Sequence, residues 1–195
     1  FTDFIFKPWT AFTYMFTHEG LFHILFNLMW LYFSGQIFLQ YFNAKKLYSI
    51  YILGGLTGAL TFLIAYNLFP AFNDHSSHLI GASASVLAIL FAVATYVPNY
   101  KVNLIFLGAI PIKYLAIASI FIDVISIPDG NAGGHIAHIG GALVGVLFIK
   151  QWKKGKDITI VSIGREIETN LPSSKILPRF GIRCCMIDMC DFSQT

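Results

Sequence analysis

The chain has 195 residues, of which 12% are charged and 16% aromatic, and its mean hydropathy is +0.67. An ordinary soluble domain carries about 25% charged residues, so that class is excluded and a polytopic membrane protein is expected. The formal net charge of +3 says little until the charges are located; the lipid bilayer is the expected partner, and nucleic acid is not.

In chain order, residues 1–20 read as an extracytoplasmic loop segment, with Lys7 its only Lys or Arg. A bilayer core needs about 20 apolar residues per helix. No charged residue interrupts 21–42, 47–71, 79–97 or 133–149, and 104–127 is a further apolar span that carries only Lys113 and Asp123. Turn signals fall between the spans, at 43–46, 70–78, 98–99 and 128–131. The expected fold is an all-α polytopic membrane protein. It has a transmembrane domain over 21–151 with five helices, followed by a cytoplasmic tail over 152–195. The tail mixes charge, Pro and polar residues without a clear period, so partial disorder is expected there. Its three cysteines (Cys184, Cys185 and Cys190) are read as free thiols, because their spacing suits neither a disulfide framework nor zinc.

Lysines set the orientation. Lys45 and Lys46, then Lys101, then Lys150, Lys153, Lys154 and Lys156 follow alternate spans, whereas 70–78 and 128–134 carry no Lys or Arg. The lysine-bearing loops are therefore read as cytoplasmic and the start as extracytoplasmic. The chain opens on Phe1 without a signal-peptide pattern, so an upstream helix, making six in the intact protein, is expected.

Unpaired polar groups in lipid cost several kcal/mol, and those inside membrane helices are functional suspects. His18, His23 and Asn27 lie at the outer start of the first span, Ser83 near that of the third, and His135 and His138 at that of the fifth. Three helices thus present polar groups at similar depth in one leaflet.

The stretch 18–27, HEGLFHILFN, nearly spells the zinc signature HExxH. In that motif the two histidines are four residues apart, about 40° around the helix. His18 and His23 are five apart, about 140° around, and cannot chelate from one regular helix. His23 and Asn27 share a face instead. The pairs His135/His138 and His75/His78 could each share a metal, but neither has a third ligand at a suitable spacing, so neither a metal nor any other cofactor is expected.

A serine in a membrane helix ordinarily bonds back to a carbonyl one turn earlier, and Ser85 is expected to do so. Ser83 differs in its neighbours. Gly81 permits close backbone approach near a helix start, where free N–H groups can hold an anion. On the last span, His138, Gly141, Ala142 and Gly145 share a face, and the spacing of Gly141 and Gly145 is a stripe that lets helices approach closely. Docked against the Ser83 helix, that stripe would bring an imidazole to the hydroxyl, as acyl transfer requires. His135 lies one turn from His138 on much the same face, and spacing alone does not choose between them.

These residues resemble the rhomboid intramembrane serine proteases over about 7–154. HEGLFHILFN resembles the family's H-x4-H-x3-N, Gly81-Ala82-Ser83 its G-x-S nucleophile motif, Ala137-His138-Ile139-Gly140-Gly141 its base motif, and Lys7-Pro8-Trp9 its interfacial loop. The resemblance implies a rhomboid-like helical bundle and a Ser83/His138 dyad, with the oxyanion held by the Ser83 N–H, His23 and Asn27. His18, Gly81, Gly141 and Gly145 would be supporting residues, with His18 ordering the adjacent loop. It also implies an endopeptidase that cuts single-pass transmembrane proteins within or near the membrane through an acyl-enzyme. The location implied is a bacterial inner (cell) membrane, with the active site opening to the extracytoplasmic side. The sequence departs from the family pattern at Thr10, Leu39, Ala84 and Leu87, where Arg, Glu, Gly and Tyr are common. None of these removes a proton-transfer or oxyanion group. Asp123 is read as structural or interfacial, since the dyad needs no acid. The alternatives are an inactive rhomboid-like protein that binds membrane clients, and a metal-binding channel or transporter using the HxxH pairs.

Overall fold

The charge-free runs become helices. A computed structural model describes residues 7–69, 72, 78–104, 108–129 and 131–168, with side chains as far as Lys153. Residues as far as Ile149 form one compact unit and Lys150–Thr195 a second.

The first unit begins with a short helix, α1 (Thr10–Thr13), and a 3-10 turn, Tyr14–Phe16. It continues with α2 (Leu21–Leu39), α3 (Ala44–Leu68) and α4 (Ser83–Tyr96). The strand pair β1 (Lys101–Leu104) and β2 (Gly108–Pro111) precedes α5 (Ile112–Ser126), a 3-10 turn Ile127–Asp129, and α6 (Ala132–Glu168), which belongs to this unit as far as Ile149. Asn43 caps α3 by accepting the Lys46 N–H at 3.1 Å, as short polar residues at helix starts do.

Leu21–Leu39, Ala44–Leu68 and the Ala132–Lys153 part of α6 are long and apolar enough to cross a membrane. Leu25, Tyr32, Leu53 and Leu60 stay exposed on α2 and α3, and Ile117 and Phe121 on α5. Apolar surface of this extent suits lipid.

The expectation of five similar spans needs correction. The span read over 104–127 is not a continuous helix. Gly108 has φ +71, a left-handed conformation that favours glycine. Pro111 lacks an N–H and disfavours helix at the residue before it. The backbone there pairs two antiparallel strands, Lys101 with Pro111 and Leu104 with Gly108, and among the described residues of that span the α-helix is the 15 residues of α5. In the C-terminal unit the backbone is helical as far as Glu168, so the first part of the tail is helix. Cys184, Cys185 and Cys190 lie outside the described residues, as does His75.

Helix α4 is the centre of the first unit. Its 14 residues rise about 21 Å, less than the roughly 30 Å of a hydrocarbon core, so at least one end lies inside the apolar slab. Ala84, Ala88, Ile89, Ala92 and Val93 are almost wholly buried. Small residues on both neighbours make this possible. A Cβ on Gly141 would fall on the Ala84 carbonyl oxygen, and one on Gly145 on that of Ala88. On the opposite side a Cβ on Gly54 would strike Ala88, and one on Gly58 would come within 2.7 Å of the Ala84 Cβ. The small-residue stripe on the last span therefore docks on the Ser83 helix. A second stripe, Gly54 and Gly58 on α3, does the same from the other side.

Overpacking a close contact costs about 1–3 kcal/mol, occasionally more. Gly145→Leu should therefore lower the thermal midpoint in detergent clearly. Gly35→Ala should leave it nearly unchanged or raised, because a Cβ there meets only Leu47 at 3.9 Å. Equal effects of the two would contradict this packing.

Candidate active site

Helical hydroxyls in this chain mostly turn back on their own helix. Ser34, Ser49, Thr61, Thr95 and Ser119 all donate to carbonyls three or four residues earlier, the economical arrangement in an apolar setting. Two serines of α4 do not. Ser85, expected to bond back, donates instead to the Met15 sulfur at 3.3 Å, because its wholly buried hydroxyl faces the loop that packs over α3. Ser83 opens α4, and its Oγ lies 2.6 Å from Nε2 of His138.

His138 is held from its other side. Its Nδ1 lies 2.7 Å from Oδ1 of Asp123 on α5, and the same oxygen lies 2.8 Å from Nδ1 of His135. A carboxylate only accepts hydrogen bonds, so each neutral imidazole carries its proton on Nδ1. Nε2 of His138 is then left as an acceptor, and Ser83 O–H donates to it. The structure thus distinguishes the two histidines that spacing could not. It also adds to the reading of Asp123 as structural or interfacial. The carboxylate is buried, with its side chain 7% exposed, and is directly bonded to the imidazole that meets Ser83. The sequence contains no spacing that links residue 123 on α5 to residue 138 on α6; an ionisable residue inside an apolar span was the only signal.

Beside the serine, Gly81 has φ +111, and a Cβ there would sit 2.8 Å from Nε2 of His23. Glycine is required on both counts, and its absence of side chain admits the His23 ring to the Ser83 edge. The Glu19 N–H points at His23 Nδ1 at 3.5 Å, which favours the proton on Nε2, the nitrogen that lies against Gly81. Asn27 is buried and donates one amide hydrogen to the His23 carbonyl at 2.9 Å, leaving the second amide hydrogen free to act. As the first residue of α4, Ser83 has an N–H without an intrahelical acceptor. His23, Asn27, Ser83, Asp123, His135 and His138 all border one cavity of about 520 Å³. Trp30, Leu87, Leu90 and Ile122 make much of the remainder of its wall apolar.

The loop before α2 is tied to the site. Gly81 N–H donates to the Tyr14 carbonyl at 3.0 Å, and the Tyr14 hydroxyl donates to the Gly55 carbonyl at 2.6 Å. Burial, with the Tyr51 phenol nearby, pushes the Tyr14 hydroxyl well above the usual range, so it remains a donor. His18 stands edge-on to His23, ring centroids 5.1 Å apart, with both ring nitrogens shielded from solvent. It lies in the loop before α2, which begins at Leu21.

A helical bundle with spans long and apolar enough to cross a membrane thus brings a serine hydroxyl, two imidazoles and a carboxylate together. Residues 6–152 match the Rhomboid domain, and the chain belongs to the rhomboid family. It is 28% identical over 158 residues to RHOMBOID-like protein 12, mitochondrial, of Arabidopsis thaliana, covering 75% of this chain and 47% of that one. It is 28% identical over 163 residues to Rhomboid-related protein 1 of Caenorhabditis elegans, covering 74% and 42%. Against Presenilin-associated rhomboid-like protein, mitochondrial, of Homo sapiens the identity is 26% over 168 residues, covering 80% and 42%. The chain spans less than half the length of each of these relatives. No solved structure matches it. Two of the three relatives are mitochondrial by name, which overturns the expected bacterial inner membrane. Lysine asymmetry between loops reports topology, not the organelle, so that location had no support in the residues.

Burial first, and the neighbouring His23 second, hold the His18 pKa below its ordinary 6.5. Below that value the unfolded chain binds the proton more readily than the folded one, so stability is full above about 6.5 and is lost as pH falls through the window beneath it. Melting in detergent should show this acid-side loss, and His18→Gln should flatten it. An unchanged profile in the variant would remove His18 as its source.

Proposed function

We propose that the chain is the core of an intramembrane serine endopeptidase that cuts transmembrane proteins through an acyl-enzyme. The observation that carries this reading is the 2.6 Å hydrogen bond from Ser83 to Nε2 of His138. The five hydroxyls that bond back to their own helices mark it as an exception.

In this mechanism His138 takes the Ser83 proton as Oγ attacks the scissile carbonyl, then returns it to the leaving amine. Charge on the tetrahedral oxygen is held by the Ser83 N–H, by Nε2–H of His23 and by the free amide hydrogen of Asn27. One such donor is typically worth about 2.7–4 kcal/mol of barrier. Asp123 acts as a positioning residue. It fixes the Nδ1–H tautomer and opposes the positive charge that forms on the ring, a role like the acid of a serine-protease triad. In the family that the sequence resembles, a Tyr often packs on the base where Leu87 stands. Asp123 supports His138 by another means, so Leu87 does not favour the client-binding alternative. The apolar cavity wall suits a peptide segment leaving lipid, with single-pass proteins as substrates. The names of the relatives support a mitochondrial membrane as the location.

A fluorophosphonate probe should label the purified protein, and Ser83→Ala should abolish labelling. His138→Ala should lower it by about 10²–10⁴-fold, and Asp123→Asn should lower it less. Labelling that survives Ser83→Ala would sink the proposal. For location, immunodetection of the natural protein in fractionated cells should find it with mitochondrial membranes; recovery in another membrane would count against that part.

A further inference from the structure

Asp123, His135 and His138 form a cluster that the protease reading only partly uses. His135 donates to the same Asp123 oxygen as His138, yet it does not meet Ser83. One ligand atom from each of Asp123, His135 and His138 lies within 4.8 Å of the other two, and both Nδ1 atoms are within 2.8 Å of Oδ1 of Asp123. They come from two helices, α5 and α6, so the third ligand absent from the HxxH spacing is supplied by the fold. Both histidine side chains keep about a fifth of their surface exposed, 23% and 22%, and all three residues border the cavity, which gives an ion a route in.

We propose that this trio is an inhibitory site for a divalent cation of the zinc class. Two imidazoles and one carboxylate are the donor set that zinc and its borderline neighbours prefer, whereas magnesium and calcium favour oxygen alone. Zinc bonds nitrogen and oxygen at about 2.0–2.2 Å, so two ligands of a tetrahedral ion lie roughly 3.4 Å apart. The present separations of 2.7 and 2.8 Å would have to open by roughly 0.6–0.7 Å each to reach that spacing, within the reach of small side-chain rotations. The fourth position would face the cavity and take water.

The chemistry of inhibition follows from the tautomer. In the metal-free state both Nδ1 atoms carry protons, and Nε2 of His138 accepts from Ser83. A metal on Nδ1 needs that lone pair, so each neutral ring moves its proton to Nε2 by exchange with water. No proton is gained or lost, and the ion's two positive charges take the trio from −1 to +1. Nε2 of His138 then donates and can no longer take the Ser83 proton. The inhibitory consequence rests on the proposed protease mechanism; the binding site does not.

The test uses the full chain in detergent, with Co²⁺ as a spectroscopic probe and Zn²⁺ as the inhibitor. One equivalent of Co²⁺ should bind with the strong visible absorption of a four-coordinate site. His135→Ala should weaken that binding by about 100-fold, at least what losing an outer partner costs a metal site. Micromolar Zn²⁺ should suppress fluorophosphonate labelling and EDTA should restore it. In His135→Ala, with labelling normalised to its own metal-free rate, the suppression should need far more Zn²⁺. Four-coordinate Co²⁺ bands in a protein that the probe never labels would sustain the metal site and overturn the protease reading. Labelling that Zn²⁺ leaves unchanged, with no such bands, would overturn the metal site and leave the protease reading intact. Co²⁺ affinity that is the same in wild type and His135→Ala would also overturn it.

Discussion

Everything at this site depends on how closely α4 is allowed to approach its neighbours. Lipid supplies no hydrophobic drive for helices to associate, so association rests on packing and backbone proximity. Gly141 and Gly145 on one side, and Gly54 and Gly58 on the other, leave no room for a Cβ against Ala84 and Ala88. With α6 pressed onto α4 at this distance, a histidine one turn before Gly141 meets a serine at the start of α4. A single added side chain would widen the gap by more than a hydrogen bond tolerates.

The same closeness explains the polar chain that runs through the site. Asp123 is buried, and an unpaired carboxylate there would be costly. It is compensated by two imidazole N–H groups, one of which also orders the ring that meets Ser83. Structural satisfaction of a buried charge and orientation of a base are thus one arrangement. On the other side of the serine, Gly81 does two things: its positive φ turns the chain into α4, and its missing side chain lets His23 in. Tyr14 carries the anchoring outward, bonding to both Gly55 and Gly81, so the loop before α2 is fastened to the helix it covers.

Much of this was legible in the sequence. Charge-free runs gave the long helices, because a single segment of about 20 apolar residues satisfies its own backbone polar groups in an apolar slab only as a helix. Ser83, His138, His23 and Asn27 stood out because polar residues in such runs need a reason to be there. The pairing of 101–104 with 108–111 is not legible in the same way, because Gly108 and Pro111 sit inside an apolar run whose hydropathy hides their effect as helix breakers. The partner of Ser85 was missed because a local rule cannot foresee a sulfur atom 70 residues earlier. Gly54 and Gly58 carried the same small-residue spacing as Gly141 and Gly145 and could have been found by it.

The sequence by itself determined the class of protein, the helices that carry the polar residues, and the shared face of His23 and Asn27. Those follow from local quantities: charge density, run length and angular spacing along one helix. Only the tertiary structure decided which histidine meets Ser83, that Asp123 stands behind it, and that His135 shares the same carboxylate oxygen. Those are contacts between α4, α5 and α6, set by how deeply glycines let the helices settle against one another, and no periodicity within a single helix encodes them.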